Sequence, residues 1–243
     1  MCGRYTLTRP GDIVEETLDA LDALAGFDGG DGLEAVCGRD PELSELLSRP
    51  RYNVAPSERM PVVLPRGSAG SAPGPCVAAA TWGFPLPGSQ RAPQINARSE
   101  TAATLPAFAD AFARGRCLVP ADGFYEWRER QPYRFVIDAE AGFCFAGLWA
   151  ETVDQLAFCL LTTSANERVA SIHDRMPVIL SGAALPQWLD REATRGELQA
   201  LCRPFPADTM ERYPVGSRVN RAGIDEPGLL VPVEPPPENL SLF

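Results

Sequence analysis

Apolar residues recur along this chain in two registers. Over residues 12–24, Ile13, Leu18, Leu21 and Leu24 fall mostly at helical spacing, which predicts a helix with one buried face. Short β-rich runs follow at 51–55, 60–64, 77–82, 117–120, 133–137, 143–149 and 156–162. Their number and spacing predict a mainly antiparallel, barrel-like β core. Helical patterns intervene at 99–114, 165–172, 183–190 and 194–201. The expected class is α+β, with peripheral helices, in a single domain over residues 1–243. Residues 26–40 turn to Gly and Asp and read as a flexible acidic loop or insertion, 67–75 as an exposed loop, and 235–243 as an extended tail.

The formal charge of −10 at pH 7 argues against a generally basic nucleic-acid binder. A polyanion is still drawn in where positive charge is focused on one face, because local potential guides it. All 22 basic residues are arginines, so the chain has no side-chain amine. Seven cysteines, Cys2, Cys37, Cys76, Cys117, Cys144, Cys159 and Cys202, are scattered and odd in number, which argues against a disulfide framework. A single histidine argues against a Cys/His zinc site, and no metal or cofactor is expected. No long apolar run or secretory signal is visible, so the expected location is cytoplasmic, with no membrane partner.

Four segments carry candidate chemistry. Removal of Met1 ahead of a small residue gives Cys2 a free α-amine beside its thiol. Such an aminothiol traps aldehydes: the amine, with a reference pKa of about 8, condenses with the carbonyl, and the sulfur closes a thiazolidine ring. The plainer reading is that Cys2 is the second residue of a strand. Ile95-Asn96-Ala97-Arg98-Ser99-Glu100 fits a strand end passing into a helix started by Ser99, with Asn96 placed to orient a substrate oxygen and Arg98 to bind phosphate; a capped helix start explains it equally. The stretch from Arg116 to Trp127 reads as an apolar strand, an Asp122-Gly123 turn, and Glu126 between two aromatics. A partly desolvated Glu126 there would have a raised pKa suited to proton transfer; a hairpin with Glu126 facing water is the alternative. His173, in Ser171-Ile172-His173-Asp174-Arg175-Met176-Pro177, is the one imidazole available, and Pro177 is expected to end the local helix.

Together, in this order, the four segments resemble the SOS response-associated peptidase (SRAP) family. The resemblance runs through Arg51-Tyr52-Asn53-Val54-Ala55-Pro56 and Trp82-Gly83 to about Asn220. It implies that Cys2 is a covalent nucleophile, that Asn96 helps hold Cys2 or an opened sugar, and that Glu126 and His173 move protons. Arg4, Arg98 and Arg175 match positions that contact DNA phosphates, and Thr162 matches a site-lining hydroxyl. The implied partner is single-stranded DNA containing abasic sites, bound by a monomer that is nucleoid-associated when on DNA. Two departures stand out: Phe84-Pro85-Leu86-Pro87-Gly88-Ser89 lacks the family's usual run of stacking aromatics, and Ala109 replaces a frequent arginine.

Two other readings use the same residues. One is an N-terminal-nucleophile cysteine peptidase or hydrolase limited to self-processing, with His173 as base. The other is a non-covalent single-strand binder, which the acidic charge and missing aromatics disfavour.

Overall fold

The structure, a computed structural model, describes residues 2–25, 41–65, 75–86, 92–137 and 142–234. The acidic stretch 26–40, the tail 235–243 and most of the 67–75 loop lie outside the described residues. Five strands close into a ring: β4 (Cys76–Trp82), β3 (Arg59–Leu64), β6 (Arg116–Ala121), β9 (Phe143–Glu151) and β10 (Leu156–Ser164), with β10 returning to β4. Four seams are antiparallel, and the closing β10–β4 seam is parallel, Leu156 opposite Ala80. A second, wholly antiparallel sheet has the order β13 (Met210–Pro214), β8 (Gln131–Ile137), β7 (Gly123–Arg128), β1 (Arg4–Leu7), β2 (Arg51–Val54). The expected α+β class with a barrel-like core is what the chain adopts.

Side chains alternate along the ring strands between two cores. Met60, Val62, Trp82, Val119, Phe145 and Phe158 join a cluster with Tyr5, Phe124 and Phe135 from the second sheet. Their neighbours Val63, Leu118, Ala146 and Leu161 face a different cluster, shared with the helices. Both faces of these strands are therefore buried, which is why they read as apolar runs rather than as strict alternation. The helices of the second cluster include α1 (Pro10–Ala25), α2 (Pro41–Ser48) and α4 (Ala109–Arg114). None of the described helices is long and apolar enough to cross a membrane.

Several local expectations need correction. The helical pattern at 99–114 is two short helices, α3 (Ser99–Ala102) and α4, because Pro106 lacks the N–H that would continue the first. The helix at 165–172 shrinks to α5 (Glu167–Ala170), and Pro177 ends the short strand β11 (Arg175–Pro177) instead of a helix. Residues 116–128 form no hairpin: β6 pairs with β3 and β9, β7 with β1 and β8, and the chain changes sheets at Asp122. Further helices are α6 (Ala184–Leu189) and α7 (Arg195–Leu201), the latter opened by a Thr194/Glu197 capping box.

Candidate active site

The N-terminal strand β1 is pinned inside the second sheet, between β7 and β2. Arg4 lies opposite Tyr125, Tyr5 opposite Phe124 and Thr6 opposite Gly123. The Asp122 carboxylate fastens this strand by accepting from the Thr6 hydroxyl and from both the main-chain N–H and the hydroxyl of Thr8. Gly123 is needed there, since a Cβ would stand 2.8 Å from the Thr6 hydroxyl and 3.0 Å from the Arg134 guanidinium. Extending the β1–β7 register by one residue brings Gly3 to Glu126 and puts residue 2 at the same end of the sheet.

A second element holds that end from the other side. The strand β5 (Asn96–Arg98) runs parallel to β10, Asn96 opposite Leu160. Asn96 Nδ2 donates to the Cys2 carbonyl at 2.8 Å, while its Oδ1 is buried with no hydrogen-bond partner among the described residues. The passage from β5 into α3 matches the expected strand-to-helix junction. Its cap position is Arg98, however, and Ser99 is buried inside the helix, so no serine cap forms.

Burial sets the protonation states. Glu126 is 2 % exposed, and removal from water pushes its carboxyl up to about 7. The Cys2 thiol is fully buried, and desolvation, reinforced by the charge of Glu126, pushes its pKa far up, so it stays protonated. Its sulfur points at the Arg4 carbonyl at 3.6 Å. His173 lies in the turn between α5 and β11, and partial burial lowers its pKa. Its Nδ1 accepts the Arg175 main-chain N–H at 2.9 Å, which places the proton of the neutral ring on Nε2. Asp174 Oδ1 is also 3.1 Å from Nδ1, but a carboxylate oxygen pairs with that nitrogen only when the ring is protonated there, and the bond from the Arg175 N–H is then lost; the main-chain bond defines the neutral state.

The residues matched to phosphate contacts differ in their surroundings. Arg98 is exposed at the end of β5. Arg4 donates to Asn53 Oδ1 at 3.0 Å and to the Val219 carbonyl at 2.7 Å, so part of its guanidinium ties β1 to the segment after β13. Arg175 lies opposite Ser164 in the β10–β11 pair; its guanidinium donates to the Thr162 carbonyl and is gripped by Glu100. Thr162 itself is fully buried, its hydroxyl 3.4 Å from the Ala97 carbonyl, so it braces the site rather than lining its surface. The structure thus brings Cys2, Asn96 and Glu126 together, and gathers Arg98, Thr162 and Arg175 along β5, β10 and β11. His173 joins them through Arg175.

Phe84, in the departing segment, is buried and packs on Phe108 with ring centroids 5.5 Å apart, so it offers no stacking face; Pro87, Gly88 and Ser89 lie outside the described residues. Ala109 begins α4 and is half-buried. Sequence reasoning missed Asn53, whose side chain donates to the carbonyls of Val219, Arg221 and Ile224, and the Asp122–Thr6–Thr8–Arg134 network. Asp122 signalled only a turn, because its partners lie far away in sequence. An apolar recess of about 580 Å³, lined by residues including Leu21, Leu24, Pro65 and Pro186, contains none of the candidate site residues.

Comparison with known proteins identifies the family. The family model described as SOS response associated peptidase (SRAP) matches residues 1–222. The chain is 33% identical to the abasic site processing protein YoqW of Bacillus subtilis, over 95% of this chain and 99% of that one. It is 28% identical to the abasic site processing protein YedK of Escherichia coli, over 96% and 100%. Among solved structures, a phage-related protein from Bordetella bronchiseptica is 27% identical with a TM-score of 0.64, covering 88% of this chain and 94% of that chain. A protein from Bacteroides thetaiotaomicron, 22% identical with a TM-score of 0.71 over 96% and 100%, shares the fold. The chain belongs to the SRAP family.

Proposed function

We propose that this protein captures the ring-opened aldehyde of an abasic site in single-stranded DNA as a covalent thiazolidine on Cys2, shielding the lesion. The observation that carries the reading is the convergence on residue 2 of Asn96, which holds its carbonyl, and Glu126, a buried carboxyl with a pKa of about 7. Relatives named as abasic site processing proteins, matched over nearly their whole length, support the substrate.

Removal of Met1 supplies the α-amine. The neutral amine adds to C1′ of the open sugar: a C–N bond forms, and a proton passes from nitrogen to the carbonyl oxygen. Protonated Glu126 then gives its proton to that hydroxyl, water leaves, and an iminium remains. The Glu126 carboxylate takes the thiol proton as sulfur adds to the iminium carbon, closing the ring. Amine, thiol and aldehyde yield thiazolidine and one water, and Glu126 returns to its starting form. A carboxyl poised near neutral pH suits both transfers. His173, with its proton on Nε2, assists opening of the sugar ring.

The buried, protonated thiol makes the amine the first nucleophile. It also disfavours the peptidase reading, which starts from a thiolate. Incubation with an abasic single-stranded oligonucleotide, and separately with a peptide library, followed by intact-mass analysis, tests the choice. The expected product is protein plus oligonucleotide less one water. Peptide cleavage without such an adduct would overturn the reading.

A further inference from the structure

Arg175 is held from two sides. Its NH1 donates to Glu100 Oε1 at 2.6 Å, and its NH2 donates to Glu100 Oε2 at 2.8 Å and to the Thr162 carbonyl at 2.6 Å. The Arg175 side chain is 13% exposed and that of Glu100 50%, so the carboxylate is the outer member. The hydrogen bonds from Arg175 hold the Glu100 carboxyl below its usual range, and the charge of Arg98 adds to this. A singly charged, two-oxygen group therefore lies on a recessed arginine fork with a second, exposed arginine nearby. A phosphodiester presents the same charge and the same pair of oxygens to such a fork. The contacts to Thr162 do not involve Glu100, so the guanidinium stays aimed when the carboxylate leaves. Arg175 Nε is buried with no hydrogen-bond partner among the described residues, a donor the carboxylate leaves unused.

We infer that Glu100 is an internal phosphate surrogate: in the free protein its carboxylate occupies Arg175, and a phosphodiester of the bound strand displaces it. The inference rests on the DNA-capturing role given above and names the group that tunes it. Glu100 sits in the first turn of the four-residue helix α3, exposed to solvent, so its side chain can swing away without moving the backbone. The exchange lowers affinity for phosphate in general and leaves tight binding to strands that make further contacts with the site. It also explains how an arginine in a protein of net charge −10 is kept from binding anions indiscriminately.

The test uses a single-stranded oligonucleotide without an abasic site, read by fluorescence anisotropy, on the full chain with Glu100→Gln, Arg175→Ala and both changes. Glu100→Gln is expected to tighten binding about two- to fivefold at low salt, the size of one exposed charge pair. The salt dependence should steepen by up to about one unit of log K per log salt. On the Arg175→Ala background the same substitution is expected to change affinity less than about 1.5-fold, because the contested partner is gone. Equal tightening on both backgrounds marks a general charge effect and overturns the inference. Weaker binding by Glu100→Gln assigns Glu100 to propping Arg175 and overturns it too. Crosslinking to an abasic strand, followed in parallel, separates the two ideas: adduct formation with no Glu100 effect sinks the surrogate alone, while a Glu100 effect without any adduct sinks the thiazolidine.

Discussion

Asn96 reaches across 94 residues of sequence to donate a 2.8 Å hydrogen bond from Nδ2 to the main-chain carbonyl of Cys2. A residue beside a chain terminus otherwise rotates freely, and this bond fixes the direction in which an α-amine on Cys2 points. The Oδ1 of the same amide has no partner among the described residues and is free to accept from a donor such as an amine or a sugar hydroxyl. Asn96→Ala should slow single-turnover crosslinking by about 10- to 100-fold, the consequence of losing about 1–3 kcal/mol of buried hydrogen bonding. Asn96→Asp should be at least as slow, since a carboxylate has no proton for the Cys2 carbonyl. A parent-like rate in Asn96→Ala, with an unchanged melting temperature, would remove the amide from the mechanism.

Glu126 has opposite effects on stability and on chemistry. Its carboxyl is raised from the ordinary 4.5 to about 7 by burial, so the folded state prefers the protonated form. The stabilisation is complete below pH 4.5 and is lost as pH rises through 7, amounting to at most about 3 kcal/mol. Glu126→Gln resembles the protonated form at every pH. The variant should therefore gain stability relative to the parent between pH 5 and pH 8, by urea or thermal unfolding, while crosslinking slows by about 10²- to 10⁴-fold. A stability difference that does not change with pH would contradict the buried, titrating carboxyl, and rates within twofold of the parent would confine Glu126 to structure.

The single histidine makes its own titration directly visible. Burial lowers the His173 pKa, with Asp174 opposing the shift. The imidazole C2 proton should give one NMR titration with a midpoint below the reference of about 6.5. Asp174→Asn should move it lower still, because the favourable negative charge is gone. Because the folded pKa is depressed, its contribution to stability is present above 6.5 and fades as pH falls through the observed midpoint. A midpoint above 6.5 would mean that Asp174 outweighs burial and that the imidazole is charged near neutral pH.

The sequence makes the strands of the ring legible because both of their faces are buried, which yields unbroken apolar runs such as those of β9 and β10. It also points to Glu126, since the flanking Tyr125 and Trp127 predict a desolvated carboxyl. The helix α2 goes unread although Pro41 opens it and Leu43 and Leu47 fall one turn apart, because it follows directly on an acidic, glycine-rich stretch. The pairing of β7 with β1 is invisible locally: an Asp-Gly step suggests a hairpin, and only the distant partners Thr6, Thr8 and Arg134 make Asp122 the point where the chain changes sheets. Glu100 reads as a helix-opening acid for the same reason, its partner Arg175 lying 75 residues away.

The absence of lysine provides the sharpest test of the aminothiol chemistry. Imine formation needs a primary amine, and this sequence has no lysine, so after loss of Met1 the sole amine is that of residue 2. Arginine does not substitute, because its guanidinium stays protonated. Borohydride present during reaction with abasic DNA reduces an imine to a stable secondary amine before the thiol closes the ring. Trapped adducts should therefore map to residue 2 alone. Cys2→Ser retains the amine and should still be trapped, yet should yield no heat-stable adduct without borohydride, because oxygen does not replace sulfur in a durable ring. N-terminal acetylation should abolish trapping altogether. In Cys2→Ala the pair of outcomes should match Cys2→Ser, with the fold retained. Peptide mapping that placed the sugar on any other residue, or full trapping by acetylated protein, would exclude the amine of residue 2 as the group that meets the aldehyde first.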